Sequence, residues 1–101
     1  MTATQKRLWI DALRSKTFLQ TPEAALLSRE GTGPIRYCAL AVGEAAIFGK
    51  GVVMSPTGFP VFAAGFQQMR TVISDAHWRH LVRLHRRAPF TTIADWIETN
   101  L

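Results

Sequence analysis

The sequence predicts an α+β fold of about four helices packed with a small antiparallel sheet or hairpin. Apolar residues recur at helical spacing towards both ends of the chain, and an apolar, alanine-rich segment in the middle ends in glycines. β-branched and aromatic residues then flank a Pro/Gly turn. We expect helices at approximately residues 3–15, 36–48, 75–88 and 92–100. The length of 101 residues favours a single compact domain, residues 1–101.

The first predicted helix has a start signal and an apolar stripe. Thr2 and Gln5 have the spacing of a capping box, in which each side chain accepts a backbone N–H at the helix start. Leu8, Trp9 and Leu13 follow helical spacing, which predicts that this side faces the core. We expect Trp9 to be a core residue.

The segment 36–48 is apolar nearly all round, with Glu44 as its one ionisable interruption after Arg36. Closed by Gly49, it is typical of a buried helix with a glycine stop. Cys38 lies near its start, where a helix N-terminus can lower a thiol pKa. The interpretation that we favour is a small buried hydrophobic residue, because no histidine is near it in sequence.

Two segments are candidates for extended structure, one clear and one ambiguous. Residues 51–55 and 59–63 predict a hairpin, with Pro60 confining its strand to a sheet edge. Residues 21–30 are ambiguous, because the Thr-Pro-Glu start at Thr21 signals a helix while the residues around it suit short strands.

The predicted helix 75–88 has one apolar and one basic side. Its inward side is expected to comprise Trp78, Leu81, Val82, Leu84, His85 and Ala88. Its other side carries the candidate partner-binding residues, which are Arg79, His80, Arg83, Arg86 and Arg87. Pro89 breaks this helix, and Thr91 or Thr92 is expected to cap the next one.

The basic row has structural as well as functional interpretations. Like charges at helical spacing repel by a few tenths of a kcal/mol per pair, so an acidic partner should offset them. That acid could belong to this chain, since Asp95 and Glu98 are near in sequence, and arginines also suit a helix C-terminus. The net charge is +5, and nine of the twelve Lys and Arg residues are arginine, which favours phosphate or carboxylate contacts or reflects a GC-rich genome.

Composition limits the class of protein. Hydrophobic residues make up 48% and charged residues 19%, as in a folded domain. One cysteine excludes an intrachain disulfide, and no CxxC pair points to zinc. Without a signal-peptide pattern or an apolar run of membrane-spanning length, we expect a cytoplasmic protein without cofactors and without a metal site.

Three parts of the chain carry a combined pattern, namely residues 9–15 (WIDALRS) with Phe18 and Gln20, residues 37–42 (YCALAV) and residues 90–101 (FTTIADWIETNL). Together they resemble a family of small uncharacterised phage and prophage proteins. The family is similar to W-x-x-A-L-R-S-G-x-Y-x-Q, then C-C-L-G-V, then L-N-D-x-G-x-x-F-x-x-I-A-D-x-I-E-x-x-L. The resemblance implies no enzymatic activity, and it favours extended structure after Gln20.

The departures from that pattern are also informative. Residues 84–87 read LHRR where the family has leucine, asparagine, aspartate and a small residue, so no role of the Asn-Asp pair carries over. Ala39 and Ala41 stand where the family has cysteine and glycine, and residues 49–71 carry no resemblance. This chain thus differs from the family by a basic helix end.

The sequence supports two functional hypotheses and argues against a third. The first is a phage or prophage accessory protein that binds a host protein or nucleoprotein complex, as an anti-CRISPR-like inhibitor of defence would, and so acts in the host cytoplasm. The second is a DNA-binding regulator in which helix 75–88 enters a groove, since residues 90–97 resemble only the first helix of a helix-turn-helix unit. An enzyme is not predicted, because His77, His80 and His85 lack the i, i+4 spacing of a helical zinc pair.

Overall fold

The computed structural model describes residues 1–22, 25–65 and 68–101. The four helices are α1 (Ala3–Arg14), α2 (Ala39–Phe48), α3 (Asp75–His85) and α4 (Phe90–Asn100). The strands are β1 (Leu19–Gln20), β2 (Leu27–Ser28), β3 (Arg36–Tyr37), β4 (Val52–Met54) and β5 (Pro60–Phe62). A 3₁₀ turn, Gln68–Thr71, precedes α3. The predicted α+β fold is confirmed.

Helix α1 is the centre of the packing. It begins with the predicted capping box, in which the Thr2 and Gln5 side chains accept each other's backbone N–H at 3.0 and 2.9 Å. It packs against both α2 and α4. Trp9 is fully buried, as predicted, and its indole N–H donates to the Ala39 carbonyl at 2.8 Å. The apolar stripe is rotated from the prediction, because Ile10 is buried and Leu8 is exposed.

Helix α2 begins three residues later than predicted. Arg36 and Tyr37 form the central strand of a sheet ordered β1-β3-β2, in which β1 pairs in parallel and β2 antiparallel. The two flanking strands satisfy the backbone of β3 and hold it extended, so the helix starts only after Cys38. Gly49 ends α2 with φ of 65°, as the glycine stop predicted.

Close approach of three elements requires a glycine within α2. A Cβ added at Gly43 would lie 2.6 Å from Cε of Met69 and 3.1 Å from the indole nitrogen of Trp9. Both neighbours are fully buried. Gly43 therefore lets α1 and the 3₁₀ turn pack against the α2 backbone.

The extended segments form two small sheets. Strands β4 and β5 are the predicted hairpin, with Val53 opposite Val61 and both strands at an edge, in agreement with Pro60. Within 21–30, the described residues contain strand β2 and no helix, which favours the extended alternative. Glu23, part of the competing helix signal, lies outside the described residues.

The junction between α3 and α4 differs from the prediction at both ends. Helix α3 stops at His85, three residues early, with Arg86 as its C-cap. Helix α4 begins at Phe90, two residues early, and neither Thr91 nor Thr92 caps it. Gln20 accepts the Phe90 N–H at 3.0 Å instead, so a side chain from β1 replaces the local cap.

Candidate partner-binding face

Helix α3 presents its arginines on the side away from the core. Ser74 caps the helix by accepting the His77 N–H at 3.1 Å. Leu81 and His85, four residues apart, are buried and fix the rotation of the helix. The exposed arginines that result, called the basic face below, are Arg79, Arg83, Arg86 and Arg87.

The basic face has no acidic partner in the part of the chain that the structure describes. The nearby acids that could have offset it pair elsewhere, since Asp95 lies 2.7 Å and Glu98 lies 3.3 Å from Arg14 of α1. No ion pair between described residues includes an arginine of the basic face. The idea that Asp95 and Glu98 offset this row is therefore wrong, because α4 turns both acids towards α1.

His80, predicted with the arginines, belongs to the α3–α4 contact as well. Its ring stacks on Trp96 with centroids 4.4 Å apart and planes 24° apart. His77 meets the same indole edge-on at 5.8 Å. His80 is half-buried, so it is less accessible to a partner than the arginines of the basic face.

Val82 was predicted to face inward, yet 38% of it is exposed. It lies three residues after Arg79 and four before Arg86, within the arginine row. Leu26, also 38% exposed, lines with Val82 a small cavity of about 70 Å³ that is mostly apolar. Exposed apolar side chains therefore lie next to the arginines of the basic face.

A second cavity, of about 430 Å³, lies at the end of α3. Arg36 of β3 lines it together with Arg86, Arg87, Gln20 and Pro89. Sequence reasoning missed Arg36, because it was placed at the start of a buried helix. No spacing in the sequence could have shown that a strand 50 residues away along the chain joins the two arginines after α3.

Cys38 is buried and lines the small apolar cavity. Burial raises the pKa of its thiol, outweighing the backbone N–H groups at the start of α2 that favour the thiolate. The Sγ atom accepts the Ala41 N–H at 3.4 Å, so the thiol acts as a helix cap. The interpretation of Cys38 as a small buried residue is supported.

Other classes of site find no support among the described residues. No group of three or more His, Cys, Asp or Glu side chains there could hold a metal ion. No helix in the described ranges is both long and apolar enough to cross a bilayer.

In the comparisons with known proteins, no family model, curated protein or solved structure matches the chain.

Proposed function

We propose that this protein is a small phage- or prophage-encoded binding protein that inhibits a host complex. It would do so by covering a protein or nucleic-acid-binding surface with the basic face, and a defence complex is the target that we favour. The observation that carries this proposal is a row of exposed arginines without an acidic partner among the described residues. The phage origin rests on the sequence resemblance alone.

The energetics of the row support a role in binding. Arg79 and Arg83 are four residues apart, and like charges at this spacing destabilise a helix by a few tenths of a kcal/mol. The acids of α4 face Arg14, and Asp75, one turn before Arg79, lies 3.9 Å from Arg70, so no ion pair between described residues offsets that cost. An acidic surface on a partner would offset the repulsion between the arginines. Arginines are also among the residues that most often dominate interface energetics.

The exposed apolar side chains favour a protein surface as the target. Val82 lies between the arginines, and Leu26 lines the small cavity together with it. Interfaces between proteins combine an apolar centre with charged residues at the rim. A duplex backbone offers phosphate and sugar to such a face and few apolar contacts.

The test is affinity capture from a bacterial host lysate. We expect Arg79→Glu and Arg83→Glu to abolish a captured complex, because truncating such an anchor already costs about 2 kcal/mol or more. Lys16→Glu, which makes the same charge change on an exposed side chain after α1, is the matched control and should retain it. Combining the two substitutions with Arg86→Glu and Arg87→Glu should remove any residual capture. An unchanged capture list for the combined variant would show that the face is only solvated surface.

A DNA-binding regulator is the alternative, favoured by the exposed arginine row itself. Helix α3 has 11 residues and is about 16 Å long, enough to lie in a major groove. Binding should then fall steeply as salt rises, because phosphate contacts release counterions. Failure to retard any duplex or single strand at low salt would exclude this alternative.

A further inference from the structure

We propose that the cavity at the end of α3 binds a phosphate group. Arg36, Arg86 and Arg87 all line this open surface depression of about 430 Å³. The proposal rests on the proposed function only in sharing Arg86 and Arg87 with the basic face. It adds a ligand of stated chemistry and a residue, Arg36, from another element.

The backbones that carry these arginines are fixed. Arg36 lies in the central strand β3. It is opposite Leu19 of β1 on one side and Ser28 of β2 on the other. At the end of α3, the Arg86 N–H donates to the Arg83 carbonyl at 3.3 Å and the Arg87 N–H to the Leu84 carbonyl at 3.0 Å. A ligand therefore meets positioned backbones, which lowers the ordering cost of binding.

Gln20 ties the two sides of the cavity together. Its side-chain amide donates to the Ala88 carbonyl at 2.8 Å and accepts the Phe90 N–H at 3.0 Å. Gln20 itself belongs to β1, which pairs with β3 beside Arg36. These bonds hold the strand that carries Arg36 against the chain that carries Arg86 and Arg87.

The charge of the cavity matches a phosphate better than a carboxylate. No ion pair between described residues involves Arg36, Arg86 or Arg87. The C-terminal end of α3 contributes about half a negative charge, which three guanidinium groups outweigh. A terminal phosphate offers up to two charges and three non-bridging oxygens to such forks, whereas a carboxylate offers one charge and two oxygens.

The test is calorimetric titration of the full chain with inorganic pyrophosphate at constant ionic strength. We expect one saturable site, with affinity reduced about tenfold in Arg36→Gln and in Arg87→Gln, as loss of a charged hydrogen bond predicts. Arg79→Gln, on the basic face but outside the cavity wall, is the matched control and should bind like the wild type. Arg87 is exposed, so Arg87→Gln decides the matter if Arg36→Gln does not fold.

Two further arms identify the source of the phosphate. A single-stranded oligothymidylate that binds more tightly than pyrophosphate, again through Arg36, would assign the site to a nucleic-acid backbone, and the reverse order to a free phosphate compound. The proposal is overturned if no saturable binding occurs, if Arg79→Gln weakens binding as much as Arg36→Gln, or if citrate binds more tightly than pyrophosphate. No host partner is present, so failure here is independent of the capture experiment.

Discussion

Glu44 is a fully buried carboxylate in the most apolar helix of the chain. Its oxygens accept the backbone N–H groups of Gln68 and Met69 at 3.1 Å each, and Lys50 Nζ lies 3.0 Å away. Lys50 also donates to the Gly65 carbonyl at 2.9 Å. A buried charge is tolerated where it is paired and hydrogen-bonded, so Glu44 anchors the 3₁₀ turn to α2.

Removing that carboxylate should destabilise the fold strongly. We expect Glu44→Ala to lower the free energy of unfolding by about 3–5 kcal/mol, because it leaves the Lys50 charge and two N–H groups without their acceptor. Urea denaturation measures the change. Glu44→Gln keeps one acceptor oxygen and should lose less. A loss of less than about 1 kcal/mol in Glu44→Ala would contradict this role of the carboxylate.

Gln20 links three elements at the α3–α4 junction. Besides its bonds to Ala88 and Phe90, its amide lies 3.4 Å from the His85 carbonyl. Its hydrogen bonds therefore connect strand β1 to the residues that end α3 and to the first residue of α4. A residue 70 positions away supplies the cap that local sequence was expected to provide.

The junction should weaken without this side chain. We expect Gln20→Ala to lower the free energy of unfolding by about 1–3 kcal/mol, since the part-buried hydrogen bonds to the Phe90 N–H and the Ala88 carbonyl are lost. Gln68→Ala is the matched control, because the Gln68 side chain is exposed and makes no hydrogen bond among the described residues. Thermal and urea unfolding compare the two. A loss in Gln20→Ala no larger than in the control would argue against the cap.

At the scale of the molecule, α1 and α4 are joined by a cluster of exposed ion pairs. Arg14 contacts Asp95 and Glu98, Arg7 lies 3.5 Å from Glu98, and Lys6 donates to the Glu98 carbonyl at 3.0 Å. Each exposed pair stabilises the fold only slightly. These pairs also hold both acids against α1, where neither forms an ion pair with the basic face.

This cluster predicts a pH dependence of stability. Hydrogen bonds from Arg14 hold the pKa of Glu98 below its usual value of 4.5, so its stabilisation is full above that pH and is lost as pH falls through the lower folded-state pKa. We therefore expect Arg14→Gln to be less stable than the wild type near neutral pH, with the difference shrinking below pH 4.5. Urea midpoints across this range measure it. Arg79→Gln should show no such trend, and a difference that grows in acid would have the wrong sign.

The helices were predictable because their signals are local. The capping box at Thr2, the glycine stop at Gly49 and the Ser74 cap each act within one turn. Predictions failed where distant residues compete with local preference. Arg36 and Tyr37 pair with two strands and therefore do not belong to the helix predicted for them. Gln20 accepts the Phe90 N–H, so α4 begins two residues before its predicted start.

The sequence by itself determined the α+β class, the central place of Trp9 and the side of α3 on which the arginines lie, because periodicity and capping are properties of neighbouring residues. Only the tertiary structure decided that Asp95 and Glu98 face Arg14, that His80 stacks on Trp96, and that Arg36 joins Arg86 and Arg87. Those contacts join residues far apart along the chain or on different helices. Their geometry depends on how the helices and strands pack, which spacing along one element does not encode.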